Sequence, residues 1–138
     1  MDRAEQISAE QHTAFFQRKI AAEPQLWFAI EARSNERLAG GIWLWDVHPR
    51  HRRAEVRLFV DPKSGGKGYG TEAILLCSRY AFETLHLHKL YAYVHHGNTA
   101  SERAFLRAGY LREAVLRDEA VRDGHYNDVT RFALVAPA

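Results

Sequence analysis

From Asp61 to Ala73 the chain reads Asp-Pro-Lys-Ser-Gly-Gly-Lys-Gly-Tyr-Gly-Thr-Glu-Ala, which places Gly65, Gly66, Gly68 and Gly70 between two apolar segments of different period. Before it, Glu55 to Val60 partly alternate polar and apolar residues as a strand does, until Asp61 and Pro62 end the run. After it, Ile74, Cys77, Ser78, Ala81, Phe82 and Leu85 form a helical stripe. A strand that turns through glycines into a helix exposes unpaired amide N–H groups at the positive end of the helix dipole, which favours a phosphate. Glycine matters there because a Cβ blocks the approach of an anion or forbids a positive φ. The spacing excludes two familiar loops. A P-loop needs Gly-Lys followed by Ser or Thr, whereas Lys67 precedes Gly68; a dinucleotide fingerprint needs G-x-G-x-x-G, whereas Gly66, Gly68 and Gly70 give G-x-G-x-G. The remaining alternative, a flexible connection only, is disfavoured by the position directly at a helix start.

The flanking segments supply a sheet. Ser8 and Gln11 resemble a capping box, and Phe15, Phe16, Lys19 and Ile20 continue as a helical stripe that Pro24 closes, so a first helix is expected there. Strands follow over Leu26 to Ile30, Leu38 to Val47 and Glu55 to Val60, separated by Ser34-Asn35 and by Pro49, and they suit an antiparallel meander. Beyond the crossover helix come a strand from Lys89 to Val94, a short helix from Asn98 to Ala108 stopped by Gly109, and a last pair of strands around Asp123-Gly124. The expected fold class is α+β (mixed α/β), a central, mostly antiparallel sheet flanked by helices, in one domain over 1–138.

Composition narrows the function. The 138 residues carry 46% hydrophobic and 26% charged side chains, enough for a core without metal or disulfide, and the single cysteine, Cys77, fits a reducing, cytoplasmic setting. No apolar run reaches the ~20 residues of a membrane span. A net charge of +2 gives no bulk grip on nucleic acid, and no His/Cys spacing suits a metal, although His48, His51, His86 and His88 come in pairs.

The glycine segment resembles motif A of the GCN5-related N-acetyltransferases, Q/R-x-x-G-x-G/A. Asn98 to Tyr110 resembles the family's asparagine, serine and glycine-aromatic segment, and Arg112 to Val129 is similar to the branch of ribosomal-protein, spermidine and amino-sugar acetyltransferases. The resemblance implies acetyl-coenzyme A held where the strand ending at Leu58, Phe59 and Val60 splays from the Lys89 to Val94 strand. The pantetheine would pair with those residues, and the pyrophosphate would rest on the amides of Gly66, Lys67, Gly68, Tyr69 and Gly70. Asn98 would touch the pantetheine arm, and Gly65, Thr71 and Phe105 complete the implied cofactor-binding set. The implied activity is acetyl transfer to a primary amine of a small molecule or peptide N-terminus by direct attack.

A primary amine is mostly protonated near pH 7, so a base is required. Glu55 is the first candidate and His96 the second; the alternatives are an ion pair of Glu55 with Arg52 or Arg53 and a merely exposed imidazole. Many members place a tyrosine four positions after the serine, where this chain has Phe105, so Ser101 is the implied acid, against a purely capping role. Gly65 replaces the arginine or glutamine that opens motif A. The family also begins with a strand and a helix ahead of the region matching Ile7 to Ala22, so a shortened fold without the usual first strand is expected, its edge and acceptor pocket completed in a homodimer.

Trp27, Trp43, Trp45, Tyr91 and Tyr93 are candidates for an acceptor pocket or for core, and Asp46 and Asp128 for an ammonium contact or for surface. Two other classes compete: a non-catalytic coenzyme A binding or sensor module, and a nucleic-acid module built on Arg50, His51, Arg52 and Arg53. The expectation is no nucleic acid, no membrane and no metal.

Overall fold

The structure, a computed structural model, describes residues 3–5, 14–20, 26–32, 37–66 and 68–138. In chain order the first strands are Arg3–Glu5 (β1), Ala14–Ile20 (β2), Leu26–Ala32 (β3), Arg37–His48 (β4) and Arg53–Val60 (β5), each antiparallel to the one before. Alternation decides the faces of the inner strands. Phe28, Ile30, Ala39, Ile42, Leu44, Ala54 and Val56 are buried on one side, where the helix Tyr69–Glu83 (α1) crosses the sheet; Phe28 meets Tyr80 edge-on at 5.4 Å. The crossover delivers Lys89–His95 (β6) parallel to β5. A second helix, Thr99–Arg107 (α2), leads through Gly109, at φ +94°, to the hairpin Leu111–Arg122 (β7) and His125–Val135 (β8). Its turn puts Asp123 and Gly124 at φ +54° and +76°, the left-handed pair that a two-residue hairpin requires. The sheet order is β1-β2-β3-β4-β5-β6-β8-β7.

The helix expected from Ser8 to Pro24 is corrected over its second half. Ala14–Ile20 pairs residue by residue with β3, from Ala14↔Ala32 to Ile20↔Leu26. Phe15, Phe16, Lys19 and Ile20 fit a helical stripe, but seven residues are too few for periodicity to choose, and the free edge of β3 supplies a backbone partner for every one of them. Ser8, Gln11 and Pro24 lie outside the described residues. With β1 and β2 beyond it, β3 is an inner strand, so the edge left by the expected loss of a first strand does not fall at Leu26–Ala32.

Three features of the interior depend on single residues. Ser78 and Tyr110 are buried with their hydroxyls 2.7 Å apart, and burial pushes the Tyr110 phenol above its ordinary range. Ser78→Ala removes the partner of that phenol and is expected to cost about 1–3 kcal/mol in urea unfolding. Cys77 beside it has no solvent contact and its thiol is pushed up to about 12, so it is chemically inert in the native state. Gly40, on β4 opposite Val60, comes so close to β5 that an added Cβ would lie 1.9 Å from the Phe59 carbonyl oxygen.

Candidate functional site

The parallel pair β5 and β6 is joined only over Arg53↔Lys89, Ala54↔Leu90 and Glu55↔Tyr91. From Val56 onward no pairing joins the two strands; α1 follows β5 and α2 follows β6. The opening is a cleft of about 480 Å³, bounded by Leu58, Phe59 and Val60 on β5, by Ser64, Gly65, Gly66, Gly68, Tyr69, Gly70 and Thr71 at the turn, and by Asn98, Ser101 and Ala104 on α2. The expected splay and these expected lining residues are thus brought together. Lys67 lies outside the described residues.

The turn leaves helix amides without a side-chain cap. Asp61 Oδ1 accepts the Lys63 N–H at 3.0 Å and starts a short 3-10 helix over Pro62–Ser64, and the Gly65 N–H is spent on the Pro62 carbonyl at 3.1 Å. Gly68 then caps α1 at φ +82° with no side chain on the helix amides, and a Cβ there would meet nothing within 4 Å. The first amides of α1 therefore face open space at the positive end of the helix. Arg103 and Arg107 on α2 also line the cleft, four residues apart and so on one helix face. They bring two guanidinium charges that the sequence does not single out: on a short amphipathic helix they look like any solvated face.

Asn98 caps α2, its Oδ1 accepting the Ser101 N–H at 3.2 Å, and both side chains lie at the cleft. Phe105 does not. It is turned into the core, 5.0 Å from the Tyr110 ring and 6.3 Å from Phe132, behind Ala104, and it lines no part of the cleft. His96 sits exposed in the loop after β6, its N–H on the Asp128 carbonyl at 3.0 Å, and is also outside the cleft lining.

Glu55 occupies the last paired position before the splay, on the sheet face away from α1. Its carboxylate is gripped by Arg57 through two bonds, Nε to Oε2 at 3.1 Å and Nη2 to Oε1 at 3.3 Å, and is 13% exposed; the partner is Arg57, neither Arg52 nor Arg53. Arg57 in turn lies 4.4 Å over the Trp45 ring. Next to Glu55, burial raises the Tyr91 phenol above its usual range, and the Asp46 and Glu55 charges add to the effect. Arg131 covers Tyr91 at 3.9 Å, donates to the Tyr93 hydroxyl at 2.9 Å and to Glu113 Oε1 at 2.7 Å; Lys89 donates to Glu113 Oε2 at 2.6 Å. The Lys89 bond, helped by Arg131, holds the Glu113 carboxyl below its ordinary range. The aromatic residues Trp45, Tyr91 and Tyr93 thus form one face with paired charges. Asp46 stands exposed at φ +56° in a bulge of β4, and Asp128 Oδ1 is spent on the Asp118 N–H at 3.0 Å.

A second groove of about 900 Å³ runs between α1, at Leu75, Arg79 and Phe82, and the end of β8, at Leu134 and Val135, and shares Gly68, Thr71 and Arg107 with the cleft. Among the described residues no group of three or more His, Cys, Asp or Glu side chains could hold a metal ion, and no helix is long and apolar enough to cross a membrane.

Comparison with known proteins places this geometry. A family model described as an acetyltransferase (GNAT) domain matches residues 2–111. The uncharacterized N-acetyltransferase YoaA of Bacillus subtilis is 32% identical over 110 residues, covering 80% of this chain and 62% of that protein. The spermidine N(1)-acetyltransferase of Escherichia coli strain K12 is 29% identical over 119 residues, covering 86% of this chain and 63% of the enzyme. The chain therefore spans less than two thirds of the length of these curated relatives. A dodecameric structure of spermidine N-acetyltransferase from Vibrio cholerae superposes with a TM-score of 0.76 at 28% identity, over 82% of this chain and 66% of that one.

Proposed function

The chain belongs to the acetyltransferase (GNAT) domain family, and on that premise we propose that it moves an acetyl group from acetyl-coenzyme A to a primary amine of a small molecule or a peptide N-terminus. One observation carries the reading: free helix amides at Gly68 to Thr71 open onto a cleft that exists because β5 and β6 part after Glu55. The cleft fits the donor by its chemistry. The amides of Gly66, Gly68, Tyr69 and Gly70, with the guanidinium charges of Arg103 and Arg107, would hold the diphosphate. The unpaired edge of β5 at Leu58, Phe59 and Val60 would hold the pantetheine arm as a short strand addition. When bound, acetyl-coenzyme A supplies an acetyl thioester that a neutral amine can attack.

The chain's own residues then have two tasks. Glu55, at the fork of the strands, takes the proton that the ammonium form of the acceptor must lose, directly or through water. Its pairing with Arg57 means that the carboxylate is held in one orientation before any acceptor arrives. His96, exposed in the loop after β6, is the second candidate. Ser101, at the cleft wall, is placed to return a proton to the departing sulfur; a thiol with a reference pKa of about 8.5 needs only a weak acid. Ser101→Ala is accordingly expected to lower kcat about tenfold with little change in KM for the acetyl donor, read by thiol release.

The spermidine-acetylating relatives favour a small-molecule amine over a peptide. Because a structure of one of them is dodecameric, self-association is also proposed here. A thiol-release screen of polyamines, amino sugars, aminoglycosides and N-terminal peptides with acetyl-coenzyme A tests the activity. Release by at least one amine is expected, and silence across all classes while the donor still raises the melting temperature would refute catalysis.

A further inference from the structure

At the end of β5 remote from the cleft, two loops are fastened together into a basic platform. The β4–β5 turn carries Arg50, His51, Arg52 and Arg53, and the loop between α1 and β6 carries His86, His88 and Lys89. The Arg52 carbonyl accepts the His88 N–H at 2.6 Å and the Lys89 N–H at 3.2 Å, while Arg52 Nη1 donates to the His86 carbonyl at 3.3 Å. His48 and His51 stack, ring centroids 4.5 Å apart at 27°, with the His51 N–H donated to His48 Nδ1 at 3.1 Å. Arg50, His51, Arg52, His86 and His88 are all exposed.

The stretches Val47 to Ala54 and Leu85 to Ala92 contain no carboxylate, while Asp46, Glu55 and Glu83 flank them and Glu113 holds Lys89. Three arginines here exceed the +2 of the whole chain, so the remainder of the molecule is close to neutral. A bulk charge that excludes a general grip on polyanions is thus compatible with a local one. The backbone adds a second observation. Arg52 and His86, which touch each other, both stand at left-handed φ, +53° and +57°, where glycine or asparagine would be easier.

We propose that this platform, roughly 20 Å along β5 from the cofactor cleft, docks a single-stranded nucleic-acid segment, its phosphates on Arg50, Arg52 and Arg53 and one base on the open face of His51. An acidic protein surface would use the charges alone and leave the imidazole stack without a task. A single strand is favoured over a duplex because a base must leave its own stack to lie on His51.

The test is fluorescence anisotropy of labelled U12 RNA and dT12 DNA with the full chain. A Kd of about 10⁻⁵ M at 50 mM salt is expected, weakening roughly 15-fold at 200 mM, as about three neutralised phosphates dictate. Arg50→Glu should weaken binding at least about fivefold and Arg50→Lys should keep it. His51→Ala should weaken U12 or dT12 about fivefold while inorganic polyphosphate binds as before. The tighter of U12 and dT12 identifies the source. An equal affinity for a twelve-residue glutamate peptide would overturn the proposal in favour of an acidic protein, displacement of the oligonucleotide by coenzyme A would place it in the cleft, and indifference to Arg50→Glu would remove the platform altogether. The acetyl-coenzyme A melting shift of Arg50→Glu should equal that of the unaltered protein, so this test stands or falls apart from the acetyltransferase reading.

Discussion

Gly68→Trp is expected to abolish the rise in melting temperature that acetyl-coenzyme A should confer on the unaltered chain. At a hundredfold excess over Kd a ligand stabilises its protein by about 2.7 kcal/mol, roughly 10 °C for a domain of this size. Gly68 caps α1 at φ +82° with open space where a Cβ would stand, and it lines the cleft. An indole there would fill the place proposed for the diphosphate and cover the helix amides. The left-handed backbone adds about 1–2 kcal/mol of strain to any L residue with a Cβ, so the ligand-free melting point falls as well. Gly68→Asn separates the two effects: asparagine tolerates this conformation and is small, so it should retain most of the ligand shift. A Trp variant that still gains the full shift would show that the diphosphate does not lie on this turn.

Glu55→Gln is expected to lower kcat/KM for the amine about 10²-fold while the acetyl-coenzyme A melting shift stays intact, since Glu55 is outside the cleft lining. The substitution keeps shape and leaves an amide oxygen for Arg57, so folding is little disturbed. Unchanged turnover would reduce Glu55 to a partly buried ion pair that orders Arg57 over Trp45, and His96→Ala would become the decisive variant.

The strand–glycine–helix passage was legible in the sequence because it is local: turn residues, apolar period and caps all act within a few residues, and β5, α1, β6 and α2 fall where the patterns put them. Three things were not. Ala14–Ile20 is a strand because β3 offers it a partner, a fact of pairing and not of pattern. Arg103 and Arg107 become site residues only once α2 stands beside the splay. Phe105, placed at the cofactor by likeness to a family position, faces Tyr110 and Phe132, since an apolar ring on a short amphipathic helix goes to the core whatever its homologous position does.

The near-contact of Gly40 with the Phe59 carbonyl has a consequence for evolution of the binding slot. β5 walls the cleft on this side, so a side chain at position 40 would press on that wall from behind. If the donor lies where proposed, its affinity would then depend on a residue that lines no part of the cleft, and a survey of contacts alone would pass position 40 by.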